Sequence, residues 1–450
     1  MKYLKDWLER LKSRPASGDY WEDRRHQEAR EALATCQGAG DWFTLSTHHN
    51  GFVREVAVRE LSEQPSPAAL QALLERVNDW VPQVRELAVV AVQRYLAPAY
   101  VAALLYALPQ LMALAERQRA DHGPLLATAR QVLQVHAIRD DVVTAFIASH
   151  GRAARFLFAL LLEASSKPVD LLRIALVHRE MTVRQMAVQA CRALPGEHAV
   201  PLLLHALKTP GASVRVKALH ALLGLLDNPR ELLCGALLDA SPAVRNLARW
   251  AAPRWQLDAR ATLDARLRQP LPQRKQEWLG VLGLASELGV ALDEVWRDAA
   301  LRSPLSSVRL AAVAGLDDAQ LSDRLAALDD PADKVFAKAL EGLCRQPWAA
   351  LASALDARLD RDWHRLPATR RQALMRLRPR WQQLAYLLQR LDASPDERNT
   401  WLDWIANWCQ QQYLMVDPTT TKADRERLIE RVRALENSGA LPGGCTLRLT

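Results

Sequence analysis

Residues 239–248 read Asp-Ala-Ser-Pro-Ala-Val-Arg-Asn-Leu-Ala and contain the pattern from which the helical repeat is recognised. Serine before proline marks the start of a helix, because the serine oxygen caps free amides and proline fits the first helical turn. The pattern Val-Arg-x-x-Ala that follows recurs along the chain. Its clear copies begin at Val53, Val84, Val183, Val214, Val244 and Val308. Val53 and Val84, Val183 and Val214, and Val214 and Val244 lie 31, 31 and 30 residues apart, and from Val244 to Val308 is 64, about two periods. A period near 30 residues is typical of a stacked repeat array.

Each copy continues as one face of an α-helix. The small and apolar residues after Val84 are Leu87, Ala88, Ala91, Val92 and Tyr95. Their offsets of 3, 4, 7, 8 and 11 lie on one side of a helix. A second apolar helix precedes the copy, as in residues 68–77 (AALQALLERV), so the unit is helix, turn, helix. Stacked units of this kind bury a continuous core and leave a concave and a convex surface. The predicted fold is therefore an all-α solenoid.

The Asp/Ser-Pro turn followed by Val-Arg-x-x-Ala resembles the HEAT-repeat family, in particular the short bacterial repeats described in phycobilisome lyases. The resemblance covers about residues 45 to 345. It implies an α-solenoid of stacked helix pairs with helical caps. Members of that family include bilin lyases, an iron hydroxylase that uses His-Glu dipeptides, DNA glycosylases and many scaffolds without catalysis. The fold by itself does not choose among these functions.

Four regions are predicted from composition and from the clarity of the repeat. They are an N-terminal helical cap (1–45), the HEAT-like repeat array (46–345), a Trp/Arg-rich C-terminal helical region (346–416), and a linker, final helix and tail (417–450). Helices are predicted around Tyr3–Leu11 and Trp21–Ala34 in the cap, and at about Ala423–Glu436 near the end. The repeat blurs over 100–150, where we expect longer helices.

The charge of the chain is uneven. Of its 450 residues, 59 are Lys or Arg and 51 are Asp or Glu, a net charge of +8 that suits an acidic partner. Residues 361–390 contain eight arginines and a single acid, Asp362, so this segment alone carries +7. The predicted partner-binding patch comprises Arg361, Arg365, Arg370, Arg371, Arg376, Arg378 and Arg380. Arginines beside aromatic rings are typical of nucleic-acid surfaces, and an acidic protein is a comparable partner.

Tryptophan accumulates in the same region. The candidate aromatic residues are Trp363, Trp381, Trp401, Trp404 and Trp408. The last three share one helical face with Ile405, at offsets of 0, 3, 4 and 7. This face is interpreted as a core or end-cap stripe, and the alternative is an exposed groove that docks a peptide or a helix.

The repeat arginines are predicted to align along one edge of the array. They are Arg54, Arg85, Arg184, Arg215, Arg245 and Arg309. The favoured interpretation is a structural ladder, in which each guanidinium bonds a turn carboxylate or a carbonyl of an adjacent repeat. The alternative is a basic stripe for phosphates. Turn acids precede three of them closely, at Asp79, Glu180 and Asp239.

Motifs for catalysis are missing from the sequence. It has no GxSxG, GxxxxGK[ST] or strand-associated GxGxxG motif and no His-Glu dipeptide, so we predict no catalytic residue, no cofactor and no metal. Asp-Trp pairs occur at 6–7, 41–42, 79–80, 362–363 and 403–404. They invite comparison with the glycosylases of the family. They occupy different phases of the repeat, however, and an Asp cap beside a packing Trp explains each of them.

Cellular context completes the prediction. The six cysteines are not closely spaced and are interpreted as buried thiols of a reducing compartment. No signal-peptide core and no long uncharged apolar stretch occur, so we predict a cytoplasmic protein that does not span a membrane. The predicted function is a non-catalytic scaffold or adaptor that binds a protein partner through its concave face and its basic C-terminal segment. The alternative is a nucleic-acid-binding protein, including a HEAT-like DNA glycosylase or repair protein.

Overall fold

The computed structural model of the chain describes residues 2–12, 20–34, 39–410 and 419–447. Within these ranges the chain is all-helical, with 28 α-helices, short 3₁₀ turns and no β-strand. The predicted all-α class is therefore confirmed. Two compact units divide the chain, Met1–Pro229 and Arg230–Thr450, and they are named here the first and the second unit.

The first unit contains fifteen helices among its described residues. They are α1 Lys2–Lys12, α2 Tyr20–Ala34, α3 Ala39–Leu45, α4 Gly51–Glu63, α5 Pro67–Arg76, α6 Pro82–Gln93, α7 Val101–Tyr106, α8 Leu108–Leu114, α9 Gly123–Leu133, α10 Arg139–Ala148, α11 Gly151–Glu163, α12 Val169–Leu176, α13 Met181–Cys191, α14 Gly196–Leu207 and α15 Ala212–Leu225. Most contacts join a helix to its next or next-but-one neighbour, whereas α1 with α4, α5 with α8 and α7 with α10 join helices three apart. Thus α13 contacts α11, α12 and α15, and α14 contacts α12 and α15.

The second unit contains thirteen helices among its described residues. They are α16 Arg230–Leu237, α17 Pro242–Ala251, α18 Ala259–Leu267, α19 Lys275–Glu287, α20 Glu294–Leu301, α21 Ser306–Ala314, α22 Leu321–Ala326, α23 Asp333–Leu343, α24 Trp348–Asp362, α25 Ala368–Arg376, α26 Arg380–Ala393, α27 Arg398–Gln410 and α28 Lys422–Asn437. Here α21 contacts α19, α20 and α23, and α26 contacts α25, α27 and α28. The core of each unit is thus built from helices that are close in sequence.

The apolar faces predicted from the repeat are the buried faces. On α6, Val84, Ala88 and Val92 are fully buried, and so are Val183 and Ala187 on α13. Each buried valine contributes about 1.5–3 kcal/mol relative to an exposed one. The face of this one helix type, repeated along the chain, supplies much of the hydrophobic stabilisation.

The predicted positions of the first two helices and of the last helix are confirmed, and one expectation, for residues 100–150, is wrong. The predicted cap helices are α1 and α2, and the predicted last helix is α28. The expectation of longer helices over 100–150 is wrong, because α7 and α8 have only six and seven residues. Proline explains the short elements: Pro98, Pro109 and Pro124 each lie in the first positions of a new helix. Proline has no amide hydrogen and cannot continue a preceding helix. The predicted break around Asp417-Pro418 lies outside the described residues.

The cysteines are not uniformly buried. Cys191, Cys409 and Cys445 are buried, but Cys234 is half-buried and Cys344 is exposed. Burial raises the pKa of the Cys191 thiol to about 11. The expectation of buried thiols is thus wrong for Cys344.

Membrane-spanning character was assessed helix by helix. In the described part of the chain no single helix is both long and apolar enough to span a membrane. One pair, Pro82–Gln93 with Pro98–Tyr106, meets that criterion only when taken together, and it is bent by 103°.

A close approach of backbone to backbone occurs at Gly280 in α19. A Cβ at this position would lie 1.9 Å from the carbonyl oxygen of Leu238. Replacing glycine by alanine inside a helix usually stabilises by about 1 kcal/mol. Gly280→Ala should instead destabilise the chain by about 1–3 kcal/mol, because neither backbone can move away cheaply. Gly235→Ala on α16 is the control: a Cβ there meets nothing within 4 Å, and the usual gain should appear. Urea unfolding that showed a gain for both variants would contradict this close packing.

Candidate partner-binding site

The repeat arginines share one backbone contact. In five of the six, Nη1 donates to the carbonyl oxygen of the residue six positions earlier, in the preceding turn. The pairs are Arg54 with His48 (2.8 Å), Arg85 with Asp79 (2.9 Å), Arg215 with Thr209 (3.5 Å), Arg245 with Asp239 (2.7 Å) and Arg309 with Ser303 (2.8 Å). A carbonyl in a tight turn needs a donor from elsewhere, and the arginine of the same repeat supplies it.

Three of these arginines also reach forward to an acid. Arg54 bonds both oxygens of Asp79 through Nε and Nη2, each at 2.8 Å. Arg309 bonds Asp330 in the same forked way at 2.6 and 2.9 Å. Arg245 bonds Glu287, with Nε 3.1 Å from each carboxylate oxygen. Such bidentate pairs are the strongest geometry available to arginine. They are the contacts that the ladder interpretation describes.

Two further contacts concern Arg184 and the position of the acid that pairs with each arginine. Arg184 donates through Nη1 to the carbonyl of Pro210 in the next turn. Asp79 precedes Arg85 in the sequence, yet its carboxylate pairs with Arg54, one repeat earlier. The acid partner therefore follows its arginine along the chain.

Burial shows how far these side chains belong to the interior. Arg54, Arg184 and Arg245 are at most 9% exposed. A Cβ on Gly283 would lie 2.4 Å from the guanidinium of Arg245, so only glycine leaves room for it. The guanidinium groups of the stripe are thus engaged with the protein itself. This geometry does not favour a row of free phosphate-binding arginines.

The basic segment 361–390 turns several of its arginines inward. Arg378 lies between α25 and α26 and is 4% exposed. It forms an ion pair with Asp356 of α24 and lies over the rings of Tyr386 (3.9 Å to the centroid) and Trp348 (5.2 Å). Burial lowers the pKa of this guanidinium, and the neighbouring Asp356 opposes that shift. Arg378 is therefore a packed and paired core residue.

Arg370 takes the place of a missing repeat arginine. Six residues after Asp330, where the other repeats carry arginine, this repeat carries Phe336. Arg370 of α25 lies over that ring, 4.7 Å from its centroid, and donates through Nη1 to the Asp330 carbonyl oxygen at 2.7 Å. It also pairs with Asp333 at 2.7 Å. In this repeat Val335-Phe336 therefore stands where the clear copies have Val-Arg.

The predicted patch is not one solvent-facing surface. Arg371, like Arg370 and Arg378, is directed inward, since it donates to the Trp363 carbonyl at 3.1 Å and lies over the Trp363 ring. The exposed members are Arg361, Arg365, Arg376 and Arg380. Arg361 pairs with Asp362. The segment carries +7 by itself, but the net charge of its surroundings is smaller. Asp333, Asp356 and Asp360, which lie outside the segment, form ion pairs with three of its arginines.

The tryptophans form the core of the same region. Trp363, Trp381, Trp401 and Trp408 are each at most 6% exposed, and Trp404 is half-buried. Trp363 contacts Trp401 and Trp404 with ring centroids 4.5 and 5.5 Å apart, and Trp381 contacts Trp408 at 5.6 Å. These edge and tilted arrangements are the favourable ones for aromatic pairs. The contacts match the core interpretation of this stripe.

A cavity of about 280 Å³ opens beside this aromatic core. It is lined by Gln372, Met375, Arg376, Arg380, Gln383, Leu387, Trp404, Asn407 and Trp408. We call it the Arg376–Arg380 cavity. In the described part of the chain, no carboxylate lies within ion-pair distance of either arginine. Two cations therefore face a cavity whose wall is partly indole and partly amide.

Sequence reasoning identified the arginines and tryptophans of this cavity but not its amides. Gln372, Gln383 and Asn407 come from three different helices, α25, α26 and α27. One signal was available, since Gln372 with Arg376, and Trp404 with Trp408, have the i, i+4 spacing of a shared helical face. That spacing alone does not show which faces of the three helices meet.

Two of the Asp-Trp pairs differ in the environment of their tryptophan. In the Asp-Trp pair at 79–80, Asp79 is held by Arg54 while Trp80 is exposed. In the pair at 362–363, Trp363 is buried instead. Among the described residues, no group of three or more His, Cys, Asp or Glu side chains is arranged to hold a metal ion.

Comparison with known proteins gives no relative from which a function could be transferred. No protein-family model matches this chain, and a search of curated proteins finds no match either. The functional argument therefore depends on the geometry described above.

Proposed function

We propose that the chain is an α-solenoid of HEAT-like helix pairs. Two features support the stacking. Within the first unit, α11, α13 and α15 contact one another in order, and α12 contacts α14 beside them. Gln185 and Lys217, which lie about one repeat apart on α13 and α15, are hydrogen-bonded at 3.1 Å. A crystal structure tests this proposal, and any other order of these five helices would contradict it.

We further propose that this array is a non-catalytic cytoplasmic scaffold, and that its Arg376–Arg380 cavity receives an acidic segment of a protein partner. The observation that carries this proposal is the pair of arginines without an acidic partner in the described residues, facing one cavity beside two indoles. Ligand pockets for small molecules usually span about 300–1,000 Å³. A cavity of about 280 Å³ is better matched to one or two side chains of a protein.

The side chains that line the Arg376–Arg380 cavity indicate how it would bind an acidic segment of a partner. A carboxylate of the partner would pair with Arg376 and Arg380, and its neighbouring apolar atoms would pack against Trp404 and Leu387. The inward arginines, Arg370 and Arg378, take no part, because they already pair with Asp333 and Asp356 and do not line the cavity. The binding role predicted for the whole patch is thereby narrowed to two residues.

Charge reversal at the cavity should abolish capture of the partner. We expect Arg376→Glu/Arg380→Glu to lose at least 10-fold in affinity, because two favourable charge contacts become repulsive. The measurement is an affinity pull-down with mass spectrometry from nuclease-treated lysate, followed by titration of the identified partner. Arg361→Glu/Arg365→Glu is the matched control, since it changes the charge equally at exposed positions outside the cavity.

Two outcomes would contradict the proposal. Equal losses in the cavity variant and in the control would show a diffuse charge effect, with no role for the cavity. Capture that disappeared after nuclease treatment would favour the nucleic-acid alternative, which also predicts a steep loss of binding as salt rises.

A further inference from the structure

A second polar cavity lies in the first unit, at the turn between α5 and α6. Its volume is about 440 Å³. The end of α5 and residues 78–80 form one wall, and α8 with the loop that follows it forms the other. We call it the Trp80 cavity. No part of the proposed scaffold function uses it.

Trp80 provides an aromatic surface held in a fixed position. Its side chain is 63% exposed, although large aromatic residues are usually mostly buried. The Arg54 guanidinium lies over the ring at 5.1 Å from the centroid. The backbone is also fixed, because Asp79 accepts a hydrogen bond from the Val81 amide at 2.9 Å and is itself locked by Arg54. An exposed indole held this firmly is suited to stacking on a planar ligand.

Two arginines give the cavity an excess of positive charge. Of its lining acids, Asp79 is neutralised by Arg54, and Glu75 lies 3.8 Å from Arg76. Arg117 and Arg119 are exposed, and no carboxylate of the described residues lies within ion-pair distance of them. An anionic group of a ligand is the natural partner for this pair.

The loop that carries these arginines is anchored. Asn78 is 7% exposed and accepts from the Arg119 amide at 3.3 Å, while its own carbonyl accepts from Arg119 Nη1 at 3.2 Å. His122 contacts the same amide oxygen of Asn78 at 3.2 Å. The position of Arg119 beside Asn78, two residues before Trp80, is thus fixed by the protein.

An unused hydrogen-bond acceptor completes the wall. Oε1 of Gln110 on α8 is buried and has no partner in the described structure. Buried acceptors are nearly always paired, so this atom marks a place where a donor from a ligand fits. The donor must come from a group that enters the Trp80 cavity, which Gln110 lines.

We propose that the Trp80 cavity binds a nucleotide. The base stacks on Trp80 and donates a ring or exocyclic N–H to Gln110, and the phosphate pairs with Arg117 and Arg119. A planar ring with N–H donors and an attached anion is the chemistry that these three features share. The volume of about 440 Å³ lies within the range of small-ligand sites. The same chemistry occurs in a free mononucleotide and at the end of a single-stranded oligonucleotide.

The test is calorimetric titration of the full chain with AMP, GMP, CMP, UMP, inorganic phosphate and a 5′-phosphorylated single-stranded decamer. Trp80→Ala should weaken mononucleotide binding roughly 10-fold or more, as loss of one stacked base does elsewhere. Arg117→Gln/Arg119→Gln should weaken all four mononucleotides and reduce the salt dependence of binding. The controls are Trp250→Ala, an indole in the second unit that is 75% exposed, and Arg398→Gln/Arg433→Gln at two exposed arginines. Neither control should change affinity.

The results distinguish a free mononucleotide, the end of a nucleic-acid strand, and the absence of a nucleotide site. Mononucleotide binding that depends on Trp80 supports a free nucleotide. Tighter binding of the decamer, with the same dependence, supports the end of a nucleic-acid strand. Binding of phosphate alone that is insensitive to Trp80→Ala would overturn the proposal, and so would no binding of any probe at millimolar concentration. Gln110→Leu gives a second reading, because it removes the unused acceptor and should weaken binding of the base without changing the salt dependence.

Discussion

Asp79→Asn should lower the free energy of unfolding by about 3–5 kcal/mol at pH 7. Asp79 and Arg54 are the most deeply buried ion pair described, with side chains 0% and 2% exposed. Removing the carboxylate leaves a guanidinium buried without a counter-charge, and this unpaired charge is the main cost. The midpoint of urea unfolding, followed by circular dichroism, measures the loss. Glu75→Gln is the control, because Glu75 is about half exposed and its contact with Arg76 is weak at 3.8 Å.

The ion pair of Arg54 and Asp79 also makes the free energy of unfolding depend on pH in the acidic range. Burial raises the pKa of Asp79, but hydrogen bonds from Arg54 and the Val81 amide, with the charges of Arg54 and Arg76, outweigh burial and lower it. A lowered pKa in the folded state stabilises the fold above the unfolded value of about 3.9. This contribution is lost as the pH falls through the lowered pKa. The stability difference between the wild-type chain and Asp79→Asn should therefore shrink as the pH is reduced below about 4.

A double variant separates the cost of an unpaired charge from the value of the pair. Arg54→Met/Asp79→Leu removes both charges and keeps apolar volume, so part of the lost stability should return. The His48 and His49 carbonyls and the Val81 amide lose their partners in the double variant, and that part of the loss remains. If the double variant lost as much stability as the sum of the two single variants, Arg54 and Asp79 would not be energetically coupled. The unpaired-charge explanation would then be wrong.

The buried faces of the helices were predictable because the same spacing of apolar residues recurs in each copy of the repeat. Val84, Ala88 and Val92 lie at helical spacing, and burial follows from that spacing alone. The arginine contacts to the preceding turn are equally local, since they join residues six positions apart. Contacts within one repeat are thus visible in a single sequence.

Contacts between helices far apart in sequence were not predictable. Arg370 lies over Phe336 from 34 residues away, so the repeat that has Phe336 in place of arginine was not recognisable from its own residues. Counting charge within 361–390 missed Asp333 and Asp356, which pair with this segment from α23 and α24. A window along the chain measures local composition, whereas electrostatic balance is set by neighbours in space.

The proposed binding surface is therefore smaller than the predicted patch of seven arginines, because only Arg376 and Arg380 line the cavity. Arg376 and Arg378 are two residues apart and identical in type, yet one lines a cavity and the other lies under Tyr386. Helical periodicity separates them, because residues two apart point to different sides of the helix end. The difference between these two arginines is the sharpest test of the described packing.

Arg378→Glu should cost about 3–5 kcal/mol, whereas Arg376→Glu should change stability by at most about 0.5 kcal/mol. The two variants carry the same charge change, so burial is what distinguishes them. Glutamate at 378 would be buried beside Asp356 and would lose the contacts of the guanidinium with Tyr386 and Trp348. Tyr386 cannot relieve the repulsion as a cation would, and it already donates to Asp360 at 2.8 Å.

Arg378→Met keeps the prediction informative even if Arg378→Glu does not fold. Methionine retains apolar volume, and the carboxylate that it leaves behind is 42% exposed and can be hydrated by solvent. The loss should therefore be smaller than for glutamate, about 1–2 kcal/mol from the missing cation–π contacts. Thermal and urea unfolding of the three variants measures this order. Equal stability of Arg376→Glu and Arg378→Glu would show that Arg378 faces solvent, and the division of the basic segment into core and cavity residues would fail.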